Sequence, residues 1–95
     1  MPKRMRLDEI LALGELAKQA TFEVLREAPL PGPIMSNLYW SGRELADEIE
    51  WFCCVRGDKE GDRLKLSVAT IRQAKDGRVL DIQFTPEAEA LRVNP

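Results

Sequence analysis

Residues 49–84 read IEWFCCVRGDKEGDRLKLSVATIRQAKDGRVLDIQF, and this stretch decides the fold. Large apolar residues alternate with polar ones in three runs, and a period of two is typical of half-buried β-strands. The runs are separated by residues 57–62 and 75–77, which are rich in residue types that adopt turn geometry. We therefore predict three antiparallel strands in a meander. Their predicted bounds are 48–56, 63–74 and 78–85.

The register of these strands depends on the turns, because a shift of one residue moves a whole row of side chains to the other face. A three-residue turn closed by Gly77 in the left-handed region pairs Ala74 with Arg78 and gathers the apolar rows on one face. A two-residue turn would instead pair Ile71 with Ile82 and divide those rows. The predicted pairs are Val55–Leu64, Cys53–Leu66, Trp51–Val68, Val68–Phe84 and Thr70–Ile82. The predicted core face consists of Ile49, Trp51, Cys53, Val55, Leu64, Leu66, Val68, Ile82 and Phe84, with Leu80 at its margin.

The reverse face of the predicted sheet is more apolar than a solvated face requires. Its apolar members, the predicted interaction face, are Phe52, Cys54, Ala69, Ile71 and Val79. An exposed apolar patch on a small protein usually marks a partner site or a dimer seam. The alternative is that the C-terminal helix or residues 29–40 fold over this face.

Residues 7–28 carry apolar side chains at spacings of three and four, the pattern of an amphipathic helix. The stripe consists of Ile10, Leu13, Ala17, Ala20 and Val24. Pro29 ends this helix, because proline disfavours helical backbone in the residue before it. Residues 1–6 are expected to be a mobile basic lead, and Thr85-Pro86-Glu87 begins a short helix predicted over 86–92.

Residues 34–40 alternate in the manner of a short strand, which would lie beside residues 48–56. Ser41-Gly42-Arg43-Glu44 has the spacing of a capping box, which favours a single helical turn through Asp47. A plain loop that bends into the next strand is the alternative. The predicted fold class is α+β, a single domain of residues 1–95. One long N-terminal helix packs across a three- or four-stranded antiparallel β-meander, followed by a short C-terminal helix.

The composition excludes several kinds of chemistry. The sequence contains no histidine, which removes the commonest general base and the commonest zinc ligand. Cys53 and Cys54 are adjacent on a predicted strand, so their side chains point to opposite faces, and we expect reduced thiols in a cytoplasmic protein. Glu48 and Glu50 share a face, but such a pair is typical of a solvated strand end. The residues therefore predict no catalytic site, no cofactor and no metal site.

One alternative function is binding of single-stranded nucleic acid or RNA. Tyr39 and Trp40 are able to stack on bases, while Arg43, Arg56 and Arg63 would supply positive charge. The formal net charge of -2 argues against a dedicated nucleic-acid binder. The competing interpretation is that Trp40 anchors the connector on the core and the arginines are solvated.

The leading prediction is a non-enzymatic protein–protein interaction module, an adaptor, inhibitor or regulator that self-associates through one face of its sheet. Its expected partner is another protein or a second copy of the chain. No run is long enough to span a membrane, and a cytoplasmic location is expected. The third and weakest hypothesis is a small-ligand pocket between helix and sheet. It is the weakest because no group of polar side chains is predicted to converge there.

Overall fold

The alternating stretch forms most of a four-stranded antiparallel sheet whose strands follow one another in the order β1-β2-β3-β4. The structure is a computed structural model that describes residues 4–56 and 65–92. A long helix, α1, precedes the sheet and a short helix, α3, follows it, so the predicted α+β class is confirmed. The elements are α1 (Leu7–Glu27), α2 (Gly32–Met35), β1 (Leu38–Glu44), β2 (Glu48–Arg56), β3 (Lys65–Ala74), β4 (Val79–Phe84) and α3 (Pro86–Leu91).

The turn between β3 and β4 has the predicted form, but the register beyond it does not. The Ala74 N–H donates to the Arg78 carbonyl at 2.8 Å, and Gly77 has a φ of +106°. Ile71 nevertheless lies opposite Ile82, so the predicted pairs Thr70–Ile82 and Val68–Phe84 are wrong. The pairing shifts after Arg72–Asp81 to Gln73–Val79, which leaves Leu80 as an extra residue on β4. Such a bulge changes the register without changing the turn.

A second bulge, in β3, explains why the apolar rows of the strands still share one face although Ile71 lies opposite Ile82. The β2–β3 pairing shifts from Cys53–Ala69 to Cys54–Ser67, which leaves Val68 as the extra residue. A one-residue insertion reverses the alternation, so Val68 and Ala69 are both fully buried. The predicted pairs Trp51–Val68 and Cys53–Leu66 are therefore wrong, because Trp51 lies opposite Ile71 and Val55 opposite Leu66. Leu64 lies outside the described residues.

The segment before β2 also differs from its prediction. Gly32–Met35 forms the short helix α2, which begins after Pro31 and has proline in its first turn, a favoured position. The strand starts only at Leu38 and continues to Glu44, so the predicted strand over 34–40 is wrong in its bounds. The capping-box prediction for residues 41–44 is also wrong, because these residues pair one to one with β2.

The core lies between the sheet and α1, centred on Trp51. The six-membered ring of this side chain occupies a slot between α1 and β1, where Gly14 and Gly42 leave room for it. Its indole N–H donates to Gln73 Oε1 at 2.9 Å, and Gln73 in turn donates to the Gly77 carbonyl at 3.1 Å. Gln73 is fully buried, so this chain of hydrogen bonds satisfies polar groups within the core.

The C-terminal helix closes the same face of the sheet. Thr85 caps α3 by accepting a hydrogen bond from the Ala88 N–H, as the Thr-Pro-Glu signal predicts. The Arg92 guanidinium donates to the carbonyls of Ala28 (2.8 Å) and Val24 (3.3 Å) at the end of α1. Ala88 belongs to the buried cluster, so α3 lies on the α1 side of the sheet. The other face, called the open face below, is left without a described helix over it.

Candidate interaction surface

The predicted interaction face is not brought together by the structure. Ala69 and Ile71 are fully buried on the α1 side, and Val79 packs against the same cluster, so their predicted position on the reverse face is wrong. Only Phe52 and Cys54 lie on the open face, where both are half-buried. The bulge at Val68 is the physical reason, because it turns the second half of β3 over relative to the expected alternation.

The open face carries a row of alternating charges instead of an apolar patch. Arg43, Glu50, Arg72 and Asp81 lie opposite one another across the four strands. Arg43 donates to Glu50 at 2.6 Å, and Arg72 donates to both carboxylate oxygens of Glu48 at 2.9 Å. The hydrogen bonds from Arg72 hold the pKa of the Glu48 carboxyl below its usual value. Such cross-strand pairs suit a solvated face, so this face does not require a cover.

The proposed nucleic-acid contacts are also separated. Tyr39 and Trp40 are neighbours on β1 and therefore point to opposite faces. Trp40 packs edge-on against Phe22 of α1 with ring centroids 6.1 Å apart, and Arg43 is engaged by a carboxylate of the open face. Arg63 and the side chain of Arg56 lie outside the described part of the chain. The described residues thus form no joint aromatic and basic surface.

A groove of about 550 Å³ lies between the start of α1 and the β1–β2 hairpin. Glu44 is one of its lining residues, and the Glu44 carboxylate accepts hydrogen bonds from Lys75 Nζ (2.9 Å) and the Met5 N–H (3.1 Å). These two donors, the lysine first, hold the pKa of Glu44 below its usual value. The charges of Glu44 and Lys75 are therefore already paired within the chain. The lining residues are Arg4, Met5, Leu7, Ile10, Glu44, Leu45, Ala46 and Lys75.

The cysteines show no sign of activation. Cys53 is fully buried, and this burial, reinforced by the neighbouring Cys54, raises the pKa of its thiol to about 12. A thiol that stays protonated at neutral pH is a poor nucleophile and a poor metal ligand. Within residues 4–56 and 65–92, no group of three or more cysteine or carboxylate side chains is arranged to hold a metal ion.

The outer edge of β1 is a regular strand edge that is not paired with any strand in residues 4–56 and 65–92. The Leu45 N–H donates to the Glu48 carbonyl at 2.8 Å, which makes this a hydrogen-bonded pair of the β1–β2 ladder. Because antiparallel pairs alternate, the odd-numbered residues of β1 bond to β2 and the even-numbered ones direct their backbone groups outward. The outward set is Leu38, Trp40, Gly42 and Glu44. No described strand pairs with this edge.

The two edges of the sheet differ in the protection that proteins usually give to them. Bulges, proline and lysine discourage unwanted pairing at an exposed strand. β4 carries the bulge at Leu80, whereas β1 pairs with β2 without a register shift. Neither strand contains proline or lysine, and the charged residues of β1 are Arg43 and Glu44. The β1 edge is therefore the one suited to receive another strand.

Three of the exposed apolar side chains of α1 share one flank of the helix, the flank toward β1. Leu7 is 71% exposed, Leu11 60% and Phe22 39%. At 100° per residue these three lie within one narrow sector of the helix, and the contact between Phe22 and Trp40 directs that sector toward β1. We call Leu7, Leu11, Phe22 and the outer edge of β1 together the α1–β1 surface.

Sequence reasoning did not single out this surface, although it contained one signal. α1 carries Leu7, Leu11 and Leu16 in addition to its buried stripe, which is a wider apolar circumference than one sheet face covers. Leu16 lies on the other flank, toward Gly77 of the β3–β4 turn. The position of the sheet decides which leucines remain exposed, and that position is a tertiary property.

No family model, curated protein or solved structure was found to match this chain. Among the described residues, no helix has both the length and the apolar character needed to cross a lipid bilayer.

Proposed function

We propose that this protein is a non-enzymatic interaction module, an adaptor, inhibitor or regulator, whose partner adds a β-strand to the outer edge of β1. The observation that carries the proposal is the coincidence of a regular strand edge, unpaired among the described strands, with exposed Leu7 and Leu11 on the flank of α1 toward it. The edge offers regular backbone hydrogen bonds to an incoming strand, which is the basis of β-augmentation. The flank of α1 offers apolar area to whatever lies beside that strand.

The expected binding energy comes mainly from the apolar side chains. Backbone groups at a free edge are already hydrated, so their pairing contributes about 0.5–1.5 kcal/mol per hydrogen bond. Complete burial of a leucine side chain contributes about 1.5–3 kcal/mol. Leu7 and Leu11, being 71% and 60% exposed, retain most of that contribution for a partner. Together with the edge, they are sufficient to offset a substantial part of the cost of association.

The alternative functions receive less support from the same geometry. Nucleic-acid binding would require the aromatic and basic groups to share a surface, and Tyr39 and Trp40 lie on opposite faces of β1. A small-ligand site would require polar groups that lack partners, whereas Glu44 and Lys75 are bonded to each other in the groove. The free cysteines favour the reducing cytoplasm as the location of the module.

Site-specific photocrosslinking in the cells that naturally produce the protein tests the proposal. A benzophenone amino acid at position 11 reports on the α1–β1 surface, and the same group at position 16 is the matched control on the opposite flank of α1. Both leucines are well exposed, at 60% and 47%, so neither replacement should disturb the fold. We expect a discrete adduct from position 11 that is absent from position 16. Equal labelling from both positions, or none from position 11, would contradict the proposed surface.

A further inference from the structure

We infer that the strand received by β1 is β1 of a second copy of this chain, which gives a two-fold dimer with one continuous antiparallel sheet. This inference rests on the proposed function and names its partner. The four strands of each copy would become eight in the dimer. Two features of β1 favour this pairing, namely the direction of its backbone N–H and C=O groups and the side chains that the pairing brings opposite one another.

The alternating direction of the backbone groups permits a symmetric pairing that uses the whole of β1. An antiparallel pair requires outward-directed residues on both strands to face one another, and these are the even-numbered residues of β1. A two-fold axis through Ser41 satisfies this condition, because it sets Trp40 opposite Gly42 of the second copy. The same axis sets Leu38 opposite Glu44 of the second copy. All seven residues of β1 then overlap, and any other two-fold register shortens the overlap.

The side chains match in this register. Tyr39 lies opposite Arg43 of the second copy on the open face, a pair that suits a cation–π contact. Arg43 keeps its hydrogen bond to Glu50 within its own chain. No like charges face one another, whereas a two-fold axis through Arg43 or Glu44 would set each charge against itself. On the open face, the β1 sequence is thus complementary to itself in the register with the longest overlap, while on the other face Leu38 meets Glu44 of the second copy.

The same symmetry explains the exposed flank of α1. A two-fold axis perpendicular to the sheet keeps the α1 helices of both copies on one face, on either side of the seam. Phe22 contacts Trp40 of β1, and Leu7 and Leu11 lie within about 60° of Phe22 around the helix axis, so this flank of α1 faces the seam. A second copy brings an identical apolar sector to the other side. One occupant therefore accounts for the free edge and for the exposed leucines, with no further chemistry required.

Disulfide formation tests the register directly. The axis residue Ser41 faces itself in a pair without hydrogen bonds, where the Cα atoms lie about 4.5 Å apart, within the range that a disulfide spans. In a Cys54→Ser background, we expect Ser41→Cys to form a covalent dimer under mild oxidation. Tyr39→Cys and Arg43→Cys face each other rather than themselves. Each alone should stay uncrosslinked, while an equimolar mixture of the two should yield the covalent dimer.

Sedimentation equilibrium of the purified chain tests the surface independently of any cysteine. We expect the wild type to show twice its mass of 10.8 kDa. Leu11→Arg should weaken the dimer at least about tenfold, as the loss of a central apolar contact does. Leu16→Arg, on the opposite flank of α1, is the matched control and should leave the dimer unchanged. Circular dichroism of each variant verifies that the fold is retained.

The outcomes separate this inference from the proposed function. A wild type that remains monomeric at the highest attainable concentration overturns the dimer, and so does a dimer in which only Tyr39→Cys or Arg43→Cys alone crosslinks. If position 11 then crosslinks to a different protein in cells, the interaction module stands and only its partner was misassigned. If position 11 gives no adduct of any kind, both proposals fail.

Discussion

Adding a methyl group at Gly14 tests the packing of the core more sharply than removing a side chain. A Cβ atom at this position would lie 2.9 Å from Cη2 of the Trp51 ring, closer than such atoms approach in folded proteins. The ring has little room to retreat, because a Cβ at Gly42 would lie only 2.6 Å from its Cζ3 atom. Gly14 and Gly42 therefore form two walls of one slot for the indole.

Two opposing effects decide the sign of Gly14→Ala. Alanine in the interior of a helix is favoured over glycine by about 1 kcal/mol. Overpacking a core by one methyl group costs about 1–3 kcal/mol when the neighbours cannot move away. Since the Trp51 ring is confined on both sides, we expect the packing cost to exceed the gain in helix propensity. The predicted net effect is a loss of about 1 kcal/mol in the free energy of unfolding, with an upper limit of about 2 kcal/mol.

A double-mutant cycle in urea unfolding measures the coupling. Trp51→Phe removes the far edge of the ring, and in that background Gly14→Ala should become neutral or stabilising by up to about 1 kcal/mol. Gly32→Ala is the matched control, because a Cβ there meets no atom within 4 Å, and its effect should stay within about 0.5 kcal/mol. Increased stability of Gly14→Ala in the wild-type background, or a coupling energy near zero, would refute the claim that Gly14 and Gly42 confine the Trp51 ring.

Three further predictions concern the Gln73 amide, the hydrogen bonds of Arg92 to the end of α1, and the Cys53 thiol. Gln73→Leu leaves the Trp51 indole N–H and the Gly77 carbonyl without partners, and we expect a loss of about 2–4 kcal/mol in urea unfolding. Arg92→Ala removes hydrogen bonds to the last carbonyls of α1 and should cost about 1–2 kcal/mol in the same assay. The pKa of Cys53 is raised from 9.0 to about 12, so the folded state holds the thiol proton more tightly than the unfolded state. Its contribution to stability is complete below pH 9 and is lost as the pH rises toward 12, with a slope of at most about 1.4 kcal/mol per pH unit.

The predictions for Arg92 and for Cys53 each have a comparison variant within the chain. Arg78→Ala removes an arginine whose side chain is 74% exposed and bonds only to nearby Asp76, so it should change stability by less than about 0.5 kcal/mol. An equal loss of stability from Arg92→Ala and Arg78→Ala would show that the hydrogen bonds of Arg92 to α1 do not stabilise the fold. For the thiol, the free energy of unfolding of Cys53→Ala should fall less steeply than that of the wild type as the pH rises from 9 to 12. Parallel pH profiles of the two proteins would contradict the assignment to Cys53. A Gln73→Leu variant as stable as the wild type would show that the amide satisfies no essential partner.

The sequence was sufficient to predict α1, α3 and the strands β2, β3 and β4, but not the mutual register of the strands or the course of residues 32–44. The turn at Gly77 forms with the predicted pairing of Ala74 and Arg78, because the turn depends on local backbone preferences. The bulges at Val68 and Leu80 were missed, since neither residue carries a local signal for an extra position in its strand. A bulge is favoured when it aligns apolar rows against a helix, which is a property of the assembled layers.

For the candidate surface, too, local sequence patterns predicted some features, and tertiary packing decided the others. The position of Ala69 and Ile71 was predicted wrongly because strict alternation was assumed along the whole of β3. The exposure of Leu7 and Leu11 depends on where α1 crosses the sheet, and amphipathic spacing alone does not distinguish the two flanks of a helix. The placement of Tyr39 and Trp40 on opposite faces follows from their adjacency, and required only that β1 be recognised as a strand.

The amino-acid sequence by itself determined the α+β class, the long N-terminal helix, the central strands, the turn at Gly77 and the helix cap at Thr85. These features follow from short-range spacing, turn geometry and hydrogen bonds between near neighbours, which need no knowledge of distant contacts. Tertiary structure alone decided the two bulges, the slot for Trp51 and the side on which β1 and α1 remain exposed. Those choices minimise the apolar area left in water for the whole chain at once, and that balance includes contacts between residues far apart in the sequence.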